Sequence, residues 1–212
     1  MASDPLRTWE ILFRYAHELI EDARQRQIPV DRWTFGGGTV LMRRHRHRVS
    51  KDVDIFIDDP QFIGYLTPRL SPVAEALTTD YAEDANYVKL RFPEGEVDFV
   101  VSAPLTSTPT YTEEILGAPF LVEYSGEIIA KKVWHRGAEF TARDIFDFAM
   151  VAEREPDVLS ELAPILRSRR DDILARVQRH REFLRESFQE LAILEYRRSF
   201  EECFAILRAA LT

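Results

Sequence analysis

Three consecutive glycines, Gly36-Gly37-Gly38, stand between a short apolar run, Trp33-Thr34-Phe35, and a segment from Thr39 to Arg44 that reads as helix. A strand that bends into a helix without side chains at the bend can press its backbone against another group. The exposed N–H groups of Gly37, Gly38 and Thr39, with the helix N-terminus behind them, attract phosphate. Most glycine turns are only turns, so the weight falls on the residues downstream. Val53-Asp54-Ile55-Phe56-Ile57 alternates as a strand and is stopped by Asp58-Asp59-Pro60. Asp52 and Asp54 share one face of that strand while Val53, Ile55 and Ile57 take the other. Paired carboxylates raise each other's pKa unless a cation sits between them, and hard oxygens on a rigid strand suit Mg²⁺. The plain alternative is a solvated strand face.

A third acid strengthens the pattern. Tyr87–Phe92 and Val97–Val101 flank Pro93-Glu94-Gly95, a hairpin signature, and Asp98 lies inside the second run. A carboxylate between apolar neighbours is costly without a partner, so Asp98 is expected to bridge metal or to take a proton from an attacking hydroxyl. Glu96 shares its face but adjoins the turn and reads as a rim residue.

Elsewhere the order is mixed first and helical last. Asp4-Pro5 reads as the cap of an amphipathic helix that runs through Trp9, Leu12, Phe13, Ala16, Leu19, Ile20 and Ala23 and ends near Gln27. Residues 61–79 read as helix broken at Pro68 and Pro72, and Phe120–Tyr124 as a strand. Ser125 is expected to cap a helix reaching Arg136, and Thr141-Ala-Arg-Asp144 is a capping-box sequence. Residues 156–212 read as further helices. The expected fold class is α+β: a core over 1–124, a small mixed sheet with flanking helices, then a C-terminal helical region over 125–212.

Net charge is −8 over 212 residues, and residues 156–212 hold ten Arg against ten acids, so the excess acid lies in the first 155 residues. Such a balance disfavours a chain that coats a polyanion with its whole surface. A local exception is the basic run Arg43-Arg44-His45-Arg46-His47-Arg48, the patch at which a polyanion would be met; its histidines read as solvated or phosphate-facing in preference to metal-chelating. The lone Cys203 excludes an intramolecular disulfide. No bilayer-spanning stretch is evident, and the beginning of the chain lacks the pattern of a signal peptide, so a cytoplasmic protein is expected.

The string Phe35-Gly-Gly-Gly-Thr-Val-Leu-Met, then Arg48-Val-Ser50-Lys-Asp52-Val-Asp54-Ile-Phe56, resembles the DNA-polymerase-β-like nucleotidyltransferases, and within them the AbiEii-type toxins. Glu127-Ile-Ile-Ala-Lys131-Lys132-Val and Arg143-Asp144-Ile-Phe-Asp147-Phe are similar to that branch's lysine and Arg-Asp-x-x-Asp motifs. The resemblance implies nucleotidyl transfer with Mg²⁺ or Mn²⁺. Asp52 and Asp54 would hold metal-bound triphosphate, Asp98 would help ligate a second metal and activate the acceptor, and Gly37, Gly38 and Thr39 would hold the β- and γ-phosphates. Arg48 and Ser50 would contact phosphate, and Lys132 would reach the triphosphate, with Lys131 one position away. For Arg143, Asp144 and Asp147 a structural reading stands beside the family one: Asp144 completes the Thr141 cap, and Arg143 and Asp147 form a surface ion pair.

The resemblance also implies an NTP substrate, an RNA acceptor with tRNA 3′ ends foremost, or else a protein acceptor, and an antitoxin partner. Two other readings remain open. One is a small-molecule nucleotidyltransferase of the antibiotic-modifying kind, disfavoured by Ser50 where many such enzymes carry His. The other is a catalytically silent binding module on the same fold.

Overall fold

Helix α1 (Trp9–Gln25) forms where the apolar spacing places it, burying Trp9, Leu12, Phe13, Ala16, Leu19, Ile20 and Ala23 along one face. The computed structural model describes residues 4–211. Asp4 and Pro5 do not open this helix: the Asp4 carboxylate accepts the Leu6 N–H at 3.0 Å in a preceding turn, and α1 starts after Thr8. The chain then gives β1 (Trp33–Gly36), α2 (Gly37–His45) and β2 (Val53–Ile57). The proline-broken segment becomes a 3-10 turn, Pro60–Leu66, and a short α3 (Pro72–Leu77), whose first turn is capped by Ser71 accepting the Ala74 N–H.

Strands β3 (Tyr81–Asp84), β4 (Tyr87–Phe92), β5 (Gly95–Val101), β6 (Thr110–Ile115) and β7 (Ala118–Glu123) complete a seven-stranded sheet of order β3-β4-β5-β2-β1-β7-β6. The sheet is mixed. The β2/β5 and β1/β7 pairs are parallel, and the other neighbours are antiparallel. Alternation along β2 and β5 buries Val53, Ile55, Ile57, Val97 and Phe99 on one face, against which α1 packs, and leaves Asp54 and Asp98 half-buried on the other.

The remainder is helical: α4 (Ser125–Arg136), α5 (Ala142–Arg154), α6 (Val158–Arg179), α7 (Arg181–Gln189) and α8 (Phe200–Ala210). Ser125 does not cap α4. Tyr124 holds the cap position, and the Ser125 hydroxyl instead donates to Glu155 at 2.6 Å and accepts from Arg44. Thr141 and Asp144 do form a capping box at the start of α5. Helix α5 is buried over most of its length and packs on α4, α7 and α8, with Phe146 edge-on to Phe188 and Tyr196.

The architecture is thus α+β, a mixed sheet followed by a helical region. The chain divides into two compact units, one of Met1–Val40, Ser50–Ala103 and Thr110–Glu123, the other of Leu41–Val49, Pro104–Pro109 and Tyr124–Thr212. All seven strands belong to the first unit, and the chain passes into the second within α2. Among the described residues no helix is long and apolar enough to cross a membrane.

Candidate active site

In the sheet unit, the parallel β2/β5 ladder sets Asp54 directly beside Asp98, and on the other side of β2 Asp54 pairs with Gly36. The glycine bend is built for this acid. Gly37 has φ +73°, and a Cβ there would come 1.8 Å from Asp54 Oδ2, so only glycine allows the approach. A Cβ at Gly36 would come 2.2 Å from Glu123 Oε2. The Thr39 hydroxyl donates to the Asp52 carbonyl and lies 3.2 Å from the Ser50 hydroxyl, so it braces the approach to β2. Asp52 accepts the Glu96 N–H at 3.1 Å, which ties the start of β2 to β5.

Hairpin register places Lys89 opposite Asp98 and Arg91 opposite Glu96. The Lys89 ammonium donates to Asp98 Oδ2 at 2.8 Å and to Glu96 at 2.6 Å. Burial opposes its charge, yet these two hydrogen bonds hold its pKa above the ordinary value. Burial, and then the charge of Asp54, push Asp98 up to about 6 against the pull of Lys89. Asp98 Oδ1 is buried without a hydrogen-bond partner. An oxygen-only donor set with such an oxygen suits a hard divalent cation. Among the described residues the acids do not close into a cluster that by itself forms a metal cage.

Arg48, Lys132, Asp144 and Asp147, also singled out in the sequence, lie in the helical unit and form a second charged cluster. Asp147 is fully buried and accepts from Arg48 through Nε at 2.7 Å and Nη2 at 2.8 Å; His47 Nε2 lies 2.8 Å away. Lys132 stands 2.7 Å from Asp144 and 3.2 Å from Asp147, and Arg136 stands 3.2 Å from Asp144. Burial opposes the charge on both acids, but the cations win: Arg48 and Lys132 hold Asp147 well below the carboxylate range, and Lys132 and Arg136 lower Asp144. Burial lowers His47 despite its bond to Asp147.

Asp147 is therefore no surface partner for the exposed Arg143, whereas Asp144 both caps α5 and neutralises Lys132. Lys131, nearly buried, lies 3.6 Å from Glu127, one turn earlier on α4. The basic run is largely compensated within this unit. His45 pairs with Glu155, Arg46 with Glu195, and His47 and Arg48 with Asp147, so neither histidine is solvated. Lys89 was absent from the sequence-derived site, although a two-residue turn joining Phe92 to Gly95 already puts Lys89 across from Asp98.

A mixed sheet carrying paired acids beside a glycine bend defines a nucleotidyltransferase-type core. Three solved structures share the fold. MenT4, a nucleotidyltransferase toxin from Mycobacterium tuberculosis, aligns at TM-score 0.50 and 19% identity over 95% of this chain and 82% of its own. JHP933 from Helicobacter pylori aligns at TM-score 0.51 and 17% identity over 100% of this chain and 92% of its own. The antibiotic-resistance factor ANT(2″)-Ia aligns at TM-score 0.52 and 16% identity over 82% of this chain and 98% of its own. No curated protein matches the chain in sequence. Residues 19–210 match the family model described as nucleotidyl transferase AbiEii toxin, type IV toxin–antitoxin system, and the chain belongs to that family. Membership brings an NTP substrate and a cognate antitoxin.

Proposed function

We propose that this toxin transfers a nucleoside monophosphate from an NTP to an RNA hydroxyl, with tRNA 3′ ends as the foremost acceptor, in the cytoplasm where both substrates are found. The observation that carries this reading is the in-register pairing of Asp54 with Asp98 beside Gly37. Asp52, Asp54 and Asp98 would hold Mg²⁺ or Mn²⁺. Bound there, a divalent cation supplies charge neutralisation for the triphosphate and for the leaving pyrophosphate. Gly37, Gly38 and Thr39 offer backbone N–H groups to phosphate where α2 begins.

The acceptor oxygen forms a bond to the α-phosphorus, the bond from that phosphorus to the bridging oxygen breaks, and pyrophosphate departs. The hydroxyl proton passes to the Asp98 carboxylate, which the β2/β5 register sets beside Asp54. Lys89 orients that carboxylate through its bond to Oδ2, leaving Oδ1 for the incoming proton or cation. Arg48 and Lys132 serve the reaction by holding the buried Asp147 cluster in place, and Lys131 by its pairing with Glu127.

The test is incubation with Mg²⁺, each labelled NTP in turn, and total RNA. Label is expected on RNA with the wild-type chain and not with Asp52→Asn. In a parallel incubation with an added aminoglycoside, label on that compound but never on RNA or protein would move the assignment to a small-molecule enzyme. Absence of label with wild type and Asp52→Asn alike, together with no NTP-dependent rise in melting temperature, would leave a binding module.

A further inference from the structure

The helical unit contains a cavity of about 390 Å³ that the proposed transfer chemistry does not use. Its wall includes Arg136 at the end of α4, Thr141 and Arg143 at the start of α5, Arg176 on α6, Phe183 on α7 and, as the acid, Glu190. Arginines from three helices, Arg136, Arg143 and Arg176, therefore line one cavity together with Glu190. Arg136 also serves Asp144, and Arg176 Nε points to the Phe140 carbonyl at 3.4 Å, so both are anchored rather than freely swinging. Phe183 is 59% exposed, more than any other large hydrophobic side chain described, although its neighbour Leu184 is buried. Leu184 and Phe188 supply the inward face of α7, which leaves the Phe183 ring unneeded for packing.

We propose that this cavity binds one nucleotide of a single-stranded RNA, with a base stacked on Phe183 and its phosphate held by Arg136, Arg143 and Arg176. The proposal rests on the RNA-acceptor reading and names a second contact for that acceptor. The volume falls within the range of small-ligand pockets. Guanidiniums bind phosphate oxygens through paired N–H groups, and an exposed aromatic ring beside them is the usual platform for an unpaired base. A purely ionic site for a peptide or polyphosphate gives no reason for a phenyl ring in the wall.

Binding of a short fluorescein-labelled single-stranded RNA, measured by anisotropy without NTP or metal, separates this site from catalysis. Phe183→Ala is expected to weaken binding about tenfold and Phe183→Tyr to restore it, with unchanged melting temperatures because the ring is exposed. Arg176→Gln is expected to lower the slope of log affinity against log salt by about one. A free mononucleotide is expected to compete poorly. Equal RNA affinity in wild type and Phe183→Ala, or competition by polyphosphate as effective as by RNA, overturns the proposal. Were RNA still labelled by wild type in that case, the transferase reading would survive it; RNA bound through Phe183 but never labelled would remove the transferase and keep the site.

Discussion

Two groups of carboxylates in this chain meet opposite fates. On the sheet, Asp98 has one ammonium to share with Glu96, lies beside Asp54, keeps one buried oxygen without a hydrogen-bond partner, and rises to about 6. In the helices, Asp144 and Asp147 are more deeply buried, yet Lys132, Arg48 and Arg136 surround them and both fall below the ordinary range. Burial alone does not decide what an acid is for. The balance of nearby charge does: the compensated pair locks packing, and Asp98, raised despite Lys89, keeps a preference for a cation or a proton.

Neutralising Asp98 should destroy turnover. Asp98→Asn keeps the shape and removes the proposed base and metal-binding oxygen, so transfer is expected to fall by at least about a hundredfold, read as labelled RNA per unit time. Retention of more than a tenth of the wild-type rate would mean that Asp98 is not the base.

In the helical cluster the same change should act on folding. Asp147→Asn leaves Arg48 and Lys132 facing a neutral amide in the interior, and the expected loss is about 3–5 kcal/mol in urea unfolding. Because Asp147 is depressed in the folded state, its contribution is present above the unfolded carboxylate pKa and is lost as pH falls through the folded value, so the difference between wild type and variant should shrink in acid. A loss under about 1 kcal/mol would erase the contrast between the two clusters.

For the metal-free protein the sign reverses at Asp98. A carboxyl raised to about 6 gives stability that is complete below the unfolded pKa and lost as pH rises through about 6. Asp98→Asn is therefore expected to be more stable than wild type at neutral pH, by roughly 1–3 kcal/mol, and to flatten the pH profile between about 4 and 6. A wild type that gains stability over that interval relative to the variant contradicts the assignment.

The acids on the sheet were legible in the sequence because strand alternation makes a polar residue inside an apolar run conspicuous, and because glycine tolerates the contact with Asp54 that any Cβ would block. The hairpin was legible from Pro93-Glu94-Gly95. Strands β3 and β6 were not: Tyr81-Ala-Glu-Asp and Thr110-Tyr-Thr-Glu-Glu-Ile are charged edge strands, half exposed, and lack the alternation that marks interior ones. The partners of Asp147 were hidden for another reason. Arg48 and His47 lie about a hundred residues away in sequence, and only packing brings them to α5. Spacing along one helix suggested a surface pair with Arg143 because local periodicity carries no information about burial.

The smallest effect compares two capping boxes of the same chemistry. At α5, Thr141 caps the Asp144 N–H and Asp144 accepts from the Thr141 N–H and hydroxyl; at α8, Ser199 and Glu202 do the same at the surface. Removing the hydroxyl should cost about 1 kcal/mol in each case from the cap itself. Thr141→Ala is expected to cost more, because Asp144 is fully buried and loses a donor that water cannot replace, whereas Glu202 is exposed and solvent takes over. Paired urea titrations of Thr141→Ala and Ser199→Ala measure the difference. Equal losses would mean that Lys132 and Arg136 alone satisfy the Asp144 carboxylate and that the helical cluster is compensated even more fully than its geometry suggests.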